Sequence, residues 1–462
     1  MKSFDIRKTL LNRDAVLSTF WSTLQQIVVA ASTFFILKAI ASVTSGDTSA
    51  GMMFIGFFVA SLVLVYVPNT VSMLYLQRWR ISSLSSFVSS FIEHNKGQAP
   101  FGHARNKSQT ESWLTNESFT VYDTATNLLY QIYSTALNSA FNILIIAVSL
   151  DRRLLLWYLA AGVALVSAHF VFKKKISNVS LEMQQSRKDL SNAMLSAWDN
   201  VFIGNQHNLG HWLRHFEIQI RAAKSTATRY DGVRSLISSA TVCVALVVVA
   251  IGNGIFLFEN AEDVPKVAAL LITLPRQLQI IQSIFAFFNL TLSWAGTSGQ
   301  LKELEKIVLL SAADDESEKF IDFDVITFSD GNAVCKMASL HEADQRLTQL
   351  QSGRWTLRGR NGAGKSTLLA ALKKSWGDNA FLLPSRFGDL RFTRDFQTHS
   401  DGNRLLAVFA EISQLQDVKA VLLDEWDANL DGENLTAVSL AIDELARTKL
   451  VLESRHRGTS AG

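Results

Sequence analysis

The stretch "TLRGRNGAGKSTLLAAL", Thr356 to Leu372, decides how the last third of the chain folds. It reads as a β-strand, a glycine-rich turn and a helix. Gly359 to Ser366 spells G-R-N-G-A-G-K-S, a complete match to G-x-x-x-x-G-K-[ST]. Glycines in that pattern let backbone N–H groups converge on phosphate oxygens, and the positive end of the following helix faces the same oxygens. Lys365 is placed to reach β- and γ-phosphates and the Ser366 hydroxyl to ligate magnesium. Asn361, Gly362, Gly364 and Thr367 complete the cradle. An incidental glycine-rich loop would have no reason to lie between a "WTL" strand and a "TLLAAL" helix.

Downstream, the apolar run Ala420–Leu423 reads as a strand that ends in Asp424. A carboxylate there is placed to hold magnesium through water. Glu425 follows, where a general base can orient an attacking water. By itself this is also what an ordinary buried strand with a solvated acidic end looks like; the cradle upstream tips the reading toward chemistry.

Upstream the text changes character. Of 462 residues, 48% are hydrophobic, and mean hydropathy is positive. A net charge of +3 is too small to point to nucleic acid, and two cysteines, Cys243 and Cys335, exclude a disulfide framework. Six stretches, roughly 16–43, 51–76, 127–150, 154–172, 236–258 and 264–292, are apolar over the ~20 residues a bilayer requires. The connections 44–50, 151–153 and 259–263 are short. Those at 77–126 and 173–235 are long, helical in pattern and rich in Lys and Arg. The positive excess of cytoplasmic loops then puts the long connections and both termini in the cytoplasm, with Arg152 and Arg153 as exceptions. The basic, then apolar start lacks a small-residue cleavage site and reads as retained. The charged and then acidic run at 296–319 marks a boundary. The expected organisation is a six-helix transmembrane domain over 1–305, a linker over 306–319 and an α/β domain over 320–462.

With these elements in place, the C-terminal part resembles the nucleotide-binding domain of an ABC transporter. The whole chain resembles an exporter-type half-transporter. The fold this implies is a membrane α-helical bundle, six transmembrane helices with long cytoplasmic extensions, followed by a C-terminal α/β P-loop ATPase domain. The resemblance implies ATP and Mg2+ as cofactors. It matches Gly359, Gly364, Lys365 and Ser366 to the Walker A motif, and Asp424 and Glu425 to Walker B and the catalytic glutamate. Ala428–Asp431 matches the D-loop, with Asp431 at its key position, and His456 matches the switch histidine that contacts the γ-phosphate. The nearest match to the family's L-S-G-G-Q signature is His399–Asn403. It keeps Ser400 and Gly402 but has Asp401 in place of a glycine. Ser385 stands where the Q-loop glutamine is expected. Asp330 stands at the adenine-stacking position, with Phe328 as a weak substitute. The interval from Lys365 to Asp424 is short, as if most of the helical subdomain were missing.

In that family two nucleotide-binding domains sandwich two ATP molecules, so a dimer is implied: a homodimer on the intact catalytic parts, a heterodimer on the altered signature. Docking helices that couple motor to membrane are expected near Asn106–Trp113 and Val201–Trp212, although either could be a solvated hairpin end. Candidates for the transport path are Gln25, Gln26, Tyr130, Tyr133, Asn138, Arg276, Gln279 and Gln282. Arg276 follows Pro275 deep in the sixth span, and Gln279 and Gln282 share its helix face. A helix-packing polar cluster is the other reading. The function expected is ATP-driven export of a peptide across the bacterial inner membrane by alternating access, with lipid as surroundings and a peptide or other amphipathic molecule as cargo. A lipid or hydrophobic-drug exporter and a low-activity regulatory partner subunit are the alternatives.

Overall fold

The computed structural model describes residues 5–97, 114, 117–309, 317–385, 387, 390–393, 401–428 and 430–455. The chain divides into two compact units. One comprises residues 7–85 and 119–301; the other comprises 1–6, 86–118 and 302–462.

The first unit is helical. After a short helical turn, Arg7–Leu10, its helices in chain order, some running past the bounds of the unit, are α1 (Arg13–Thr44), α2 (Thr48–Leu64), α3 (Tyr66–Asn95), α4 (Ser118–Ser149), α5 (Leu154–Leu195), α6 (Ala197–Phe202), α7 (Gln206–Glu259) and α8 (Val264–Val308). Val65 alone separates α2 from α3, so the second span and the connection after it form nearly one rod. Among the described residues six helices are long and apolar enough to cross a membrane. They run well past the apolar stretches, because the polar 3.6-residue pattern of the long connections continues the same helices. Starts are capped where the chain turns: the Asn12 and Asp47 side chains accept from the N–H groups of Ala15 and Ala50.

Many large apolar side chains on these helices face outward, among them Met52, Val63, Phe170 and Phe258, the last 88% exposed. So much exposed carbon suits a hydrocarbon surrounding. Inside, Tyr158 and Leu165 of α5, Val249 and Phe256 of α7, and Leu270 and Ile280 of α8 belong to one apolar cluster. The turn between α4 and α5 carries Arg153, which is ion-paired to Asp151 at 3.0 Å and to Glu259 at 2.7 Å.

The C-terminal part of the second unit is a six-stranded mixed sheet. Its strands are β1 (Thr327–Ser329), β2 (Val334–Cys335), β3 (Gly353–Arg358), β4 (Ala380–Leu383), β5 (Ala420–Leu423) and β6 (Leu450–Ser454). The spatial order is β2-β1-β3-β6-β5-β4. β1 is antiparallel to both neighbours, and β3, β6, β5 and β4 run parallel. The helices are α9 (Leu340–Thr348), α10 (Lys365–Trp376), α11 (Asp401–Ser413) and α12 (Gly432–Ala446). Parallel strands are buried on both faces and read as continuous apolar runs. Strand alternation divides them cleanly: Leu422 and Leu452 pack with Leu368 and Leu372 of α10, and Val421, Leu423 and Val451 pack with Val408 of α11 and Ile442 of α12. Asp431 caps α12 by accepting from the Asn434 N–H at 2.9 Å.

Close packing in the membrane helices depends on small residues. A Cβ added at Gly252 of α7 would lie 2.6 Å from Cδ1 of Trp157 on α5, and nearer still to the root of that ring, which has little freedom to move. Gly252→Ala is therefore expected to cost about 1–3 kcal/mol by overpacking. Thermal unfolding of the detergent-solubilised protein should show a lower midpoint than wild type, and an unchanged midpoint would mean that α5 and α7 do not approach this closely.

Candidate functional site

The loop from Gly359 to Gly364 joins β3 to α10. Gly362 and Gly364 have φ of +82° and +89°, a region that side chains with a Cβ rarely adopt. Gly364 has a second constraint: a Cβ there would collide with the backbone of Phe320 and Ile321. The chain can therefore turn into α10 only with glycine at this point. Lys365 is buried, and its Nζ donates to the carbonyls of Gly359 at 2.9 Å and Arg360 at 3.3 Å. Its ammonium thus lies across the loop that the sequence marks as a cradle.

A cleft of about 350 Å³ opens over this loop, lined by Phe320, Asn361, Gly362, Gly364, Lys365, Ser366, Thr367 and Glu425. Phosphate ligands suit the place, since backbone N–H groups, a lysine and a helix N-terminus converge on it. Ser366 Oγ donates to Asp424 Oδ1 at 2.9 Å. That bond spans the sheet, because β6 lies between β3 and β5. The Ser454 hydroxyl donates to the same carboxylate oxygen at 2.8 Å. A hydroxyl and a carboxylate so close suit Mg2+, which takes one or two protein oxygens and fills its octahedron with phosphate oxygens and water. Among the described residues no group of three or more His, Cys, Asp or Glu side chains could hold a metal without such help.

Glu425 follows Asp424 with φ +44°, in the left-handed region. Its N–H donates to the Ser454 carbonyl and to the Ser454 hydroxyl, both at 3.1 Å. The next residue, Trp426, donates its indole N–H to Glu453 Oε2 at 2.8 Å. Glu453 is fully buried and also accepts from Arg354 at 3.1 and 2.8 Å, Thr356 at 2.9 Å and Arg455 at 3.0 Å. Arg455 lies over the Trp426 ring. Burial by itself would lower the pKa of the Arg354 guanidinium, but its bonds to Glu453 and Asp443 outweigh that and raise it.

The sequence-expected residues distribute as follows. Asn361, Gly362, Gly364, Lys365, Ser366, Thr367 and Glu425 line the cleft, and Gly359 and Asp424 touch it through Lys365 and Ser366. Gly402 lies against the Asn434 side chain, and Asp431 gives both its oxygens to Asn434, so these two meet around one asparagine and not in the cleft. Ser400 and His456 fall outside the described residues, as does the Asn106–Trp113 docking segment. The Val201–Trp212 segment covers the end of α6 and the start of α7, a corner where Phe202 and Ile203 are exposed. Phe328, the substitute for an adenine-stacking ring, is fully buried in the core of β1 and cannot reach a base. Phe320, 59% exposed, lines the cleft instead. The Asp330 carboxyl accepts from the N–H groups of Asn332 and Ala333, which hold it below its usual pKa. It makes a turn there.

In the helical unit, Arg276, Gln279 and Gln282 line one cavity of about 420 Å³ together with Gln26 and Asn138. Tyr130, Tyr133 and Gln25 are not among its lining residues. The Tyr130 hydroxyl accepts from Ser72, and that of Tyr133 pairs with Thr23.

No protein-family model matches the sequence, and no curated protein does either. The site is read from its own chemistry.

Sequence reasoning missed Ser454, Glu453 and Phe320. Ser454 and Glu453 read only as the polar end of an apolar strand, and Phe320 as the first residue of a new domain. Glu453→Leu is expected to destabilise the sheet unit by about 3 kcal/mol or more, because it leaves the Trp426 N–H without its acceptor and Arg354 without its buried partner, with only Ser439 and Asp443 still accepting from that guanidinium. Glu453→Gln, which keeps one acceptor oxygen, should cost less. Calorimetry of both variants in detergent checks the order, and equal midpoints for the two would remove Glu453 as the hub.

Proposed function

We propose that the chain is one half of an ATP-driven exporter that works by alternating access as a dimer of two copies. The observation that carries the reading is the Ser366–Asp424 bond at the foot of the glycine loop, in a chain with six helices able to cross a membrane. It joins the two elements that a nucleotide and its magnesium need, from parts of the sequence far apart.

On this reading Lys365 gives up loop carbonyls to take phosphate oxygens, and backbone N–H groups of the loop take the rest. Ser366 and Asp424 would hold Mg2+, which would supply positive charge against that of the phosphates. Glu425 lines the cleft and orients the attacking water, and Phe320 offers a ring to the base. The family resemblance would give His456 the γ-phosphate contact and Ser400, Gly402 and Asp431 the ATP held by the other copy. Nucleotide-driven closure then moves the helices between inward- and outward-open forms. The membrane is the bacterial inner membrane, with both termini cytoplasmic. The cargo is a peptide, because amides, hydroxyls and one guanidinium line the cavity, a polar wall that favours a peptide over a lipid or hydrophobic drug.

A second reading draws on Asp401 and Ser385, which stand at signature and Q-loop positions. Asp401 is the first residue of α11, where its charge complements the helix dipole. A carboxylate facing a γ-phosphate would slow turnover, as in a low-activity partner subunit. Wild-type hydrolysis at background with tight ATP binding would favour it.

Glu425→Gln is expected to lower ATP hydrolysis by about 100-fold or more while ATP still binds, since only the water-orienting group is lost. Steady-state ATPase and nucleotide binding in lipid discs check this, and unchanged hydrolysis would remove Glu425 as the base.

Phe320→Ala should weaken binding of ATP by roughly 2- to 10-fold, the equivalent of a lost aromatic contact worth about 0.5–1.5 kcal/mol. Binding of inorganic triphosphate should be unaffected. Titration of both ligands separates the outcomes: equal losses would mean that Phe320 shapes the loop and does not stack on the base.

A further inference from the structure

Arg276 of α8 has no counter-charge among the described residues. Arg276 lies about 18 Å along α8 from Val264, at 1.5 Å per residue, and so near the middle of a hydrocarbon core about 30 Å thick. The stretches 16–43, 51–76, 127–150, 154–172, 236–258 and 264–292 contain Lys38, His169, Lys266 and Arg276 but not one Asp or Glu. Lys266 is paired with Asp263 in the adjoining turn, and Lys38 lies over the Phe34 ring. Arg276 has neither: among the described residues no carboxylate comes within ion-pair distance of it.

Its surroundings are neutral oxygens. Nε donates to Asn142 Oδ1 at 3.0 Å, Nη1 to Gln279 Oε1 at 3.0 Å and Nη2 to the Val29 carbonyl at 3.5 Å. A guanidinium has five N–H donors. One therefore remains on each terminal nitrogen without a protein acceptor among the described residues. Asn142 is itself held: it accepts from Thr33 and donates to the Asn138 carbonyl. Asn138 donates to Gln26 Oε1, and Gln26 donates to Ser134. The network fixes the guanidinium at the wall of the 420 Å³ cavity without neutralising it, and that volume lies within the usual range for small-ligand sites, about 300–1,000 Å³.

An uncompensated charge at this depth is costly and persists where something binds it. We propose that the cavity binds a carboxylate through Arg276, and that this is the C-terminal carboxylate of a short peptide. One guanidinium matches one carboxylate in charge and in its two-pronged geometry. A phosphate monoester, at about −1.5 to −2, would ask for further cations that the cavity lacks. The amides of Gln26, Asn138, Gln279 and Gln282 offer donors and acceptors for a peptide backbone. The proposal rests on the transport reading only in naming the ligand as cargo; the binding is independent of nucleotide.

The test uses the full chain in phosphatidylcholine discs without nucleotide. The probes are the dansylated tripeptide Leu-Phe-Ala with a free C-terminal carboxylate and its twin with a C-terminal amide. Wild type should bind the acid at least about tenfold tighter than the amide, equivalent to about 1.4 kcal/mol. Arg276→Gln should bring the two within about threefold of each other, and Arg276→Lys, which keeps the charge but not the fork, should retain part of the gap. Unfolding midpoints close to wild type show that the variants fold. Equal affinities in wild type, a gap that survives in Arg276→Gln, or no binding of the acid at millimolar concentration would each overturn the proposal. So would Arg276-dependent binding of phosphatidylglycerol without binding of the acid peptide, which would make the ligand a lipid. Because nucleotide is absent, acid-selective binding in a protein that proves unable to bind ATP would leave the carboxylate site standing and remove the transporter reading.

Discussion

Glu453 accepts hydrogen bonds from four side chains and is reached by no water. Two of its partners, Arg354 and Thr356, lie on β3; Trp426 lies in the turn after β5; and Arg455 follows Glu453 itself out of β6. One carboxylate thus fastens the strand that leads into the glycine loop to the turn that carries Asp424 and Glu425. Without a central acceptor, Arg354 would keep only Ser439 and Asp443, and the Trp426 indole would lose its acceptor. Its neighbour Ser454 points the other way along the strand, as alternation demands, and gives its hydroxyl to Asp424. The two faces of one strand end therefore serve two jobs: Glu453 holds the scaffold and Ser454 holds the acidic pair.

That division explains which parts of the site were legible in the sequence. The glycine loop was legible because its chemistry requires a fixed local spacing: Gly364 needs φ near +90° and sits against the Phe320 backbone, and Lys365 must open the helix. The strand ending in Asp424 was legible for the same reason. Glu453 and Ser454 were not, because their roles depend on β6 lying between β3 and β5, a matter of strand order that no local pattern encodes. Phe328 was misread as a possible base-stacking ring since alternation cannot tell a strand's buried face from its open one when both are covered. The six apolar helices stood out plainly; that they extend far beyond their apolar stretches follows from a helical polar pattern that the eye assigns to a connection.

The helical unit applies a similar logic with neutral groups. Gln26, Asn138 and Asn142 form a chain of amides from α1 to α4, and Arg276 of α8 joins its end. In a medium that offers no water, each such amide must find its partner within the protein, so the chain ties three helices by polar bonds while leaving the charge open to the cavity. The proline just before Arg276 lies within a helix that continues through it. It removes the N–H that would bond the Leu271 carbonyl one turn back.

Glu425 is held with positive φ by two acceptors on one serine. A residue with a Cβ in the left-handed region costs about 1–2 kcal/mol relative to its relaxed form; glycine does not incur it. The position is therefore one where the fold alone would choose glycine, or asparagine, over glutamate. A collection of variants selected only for thermal resistance would drift away from glutamate here, and one selected for the proposed hydrolysis would hold on to it.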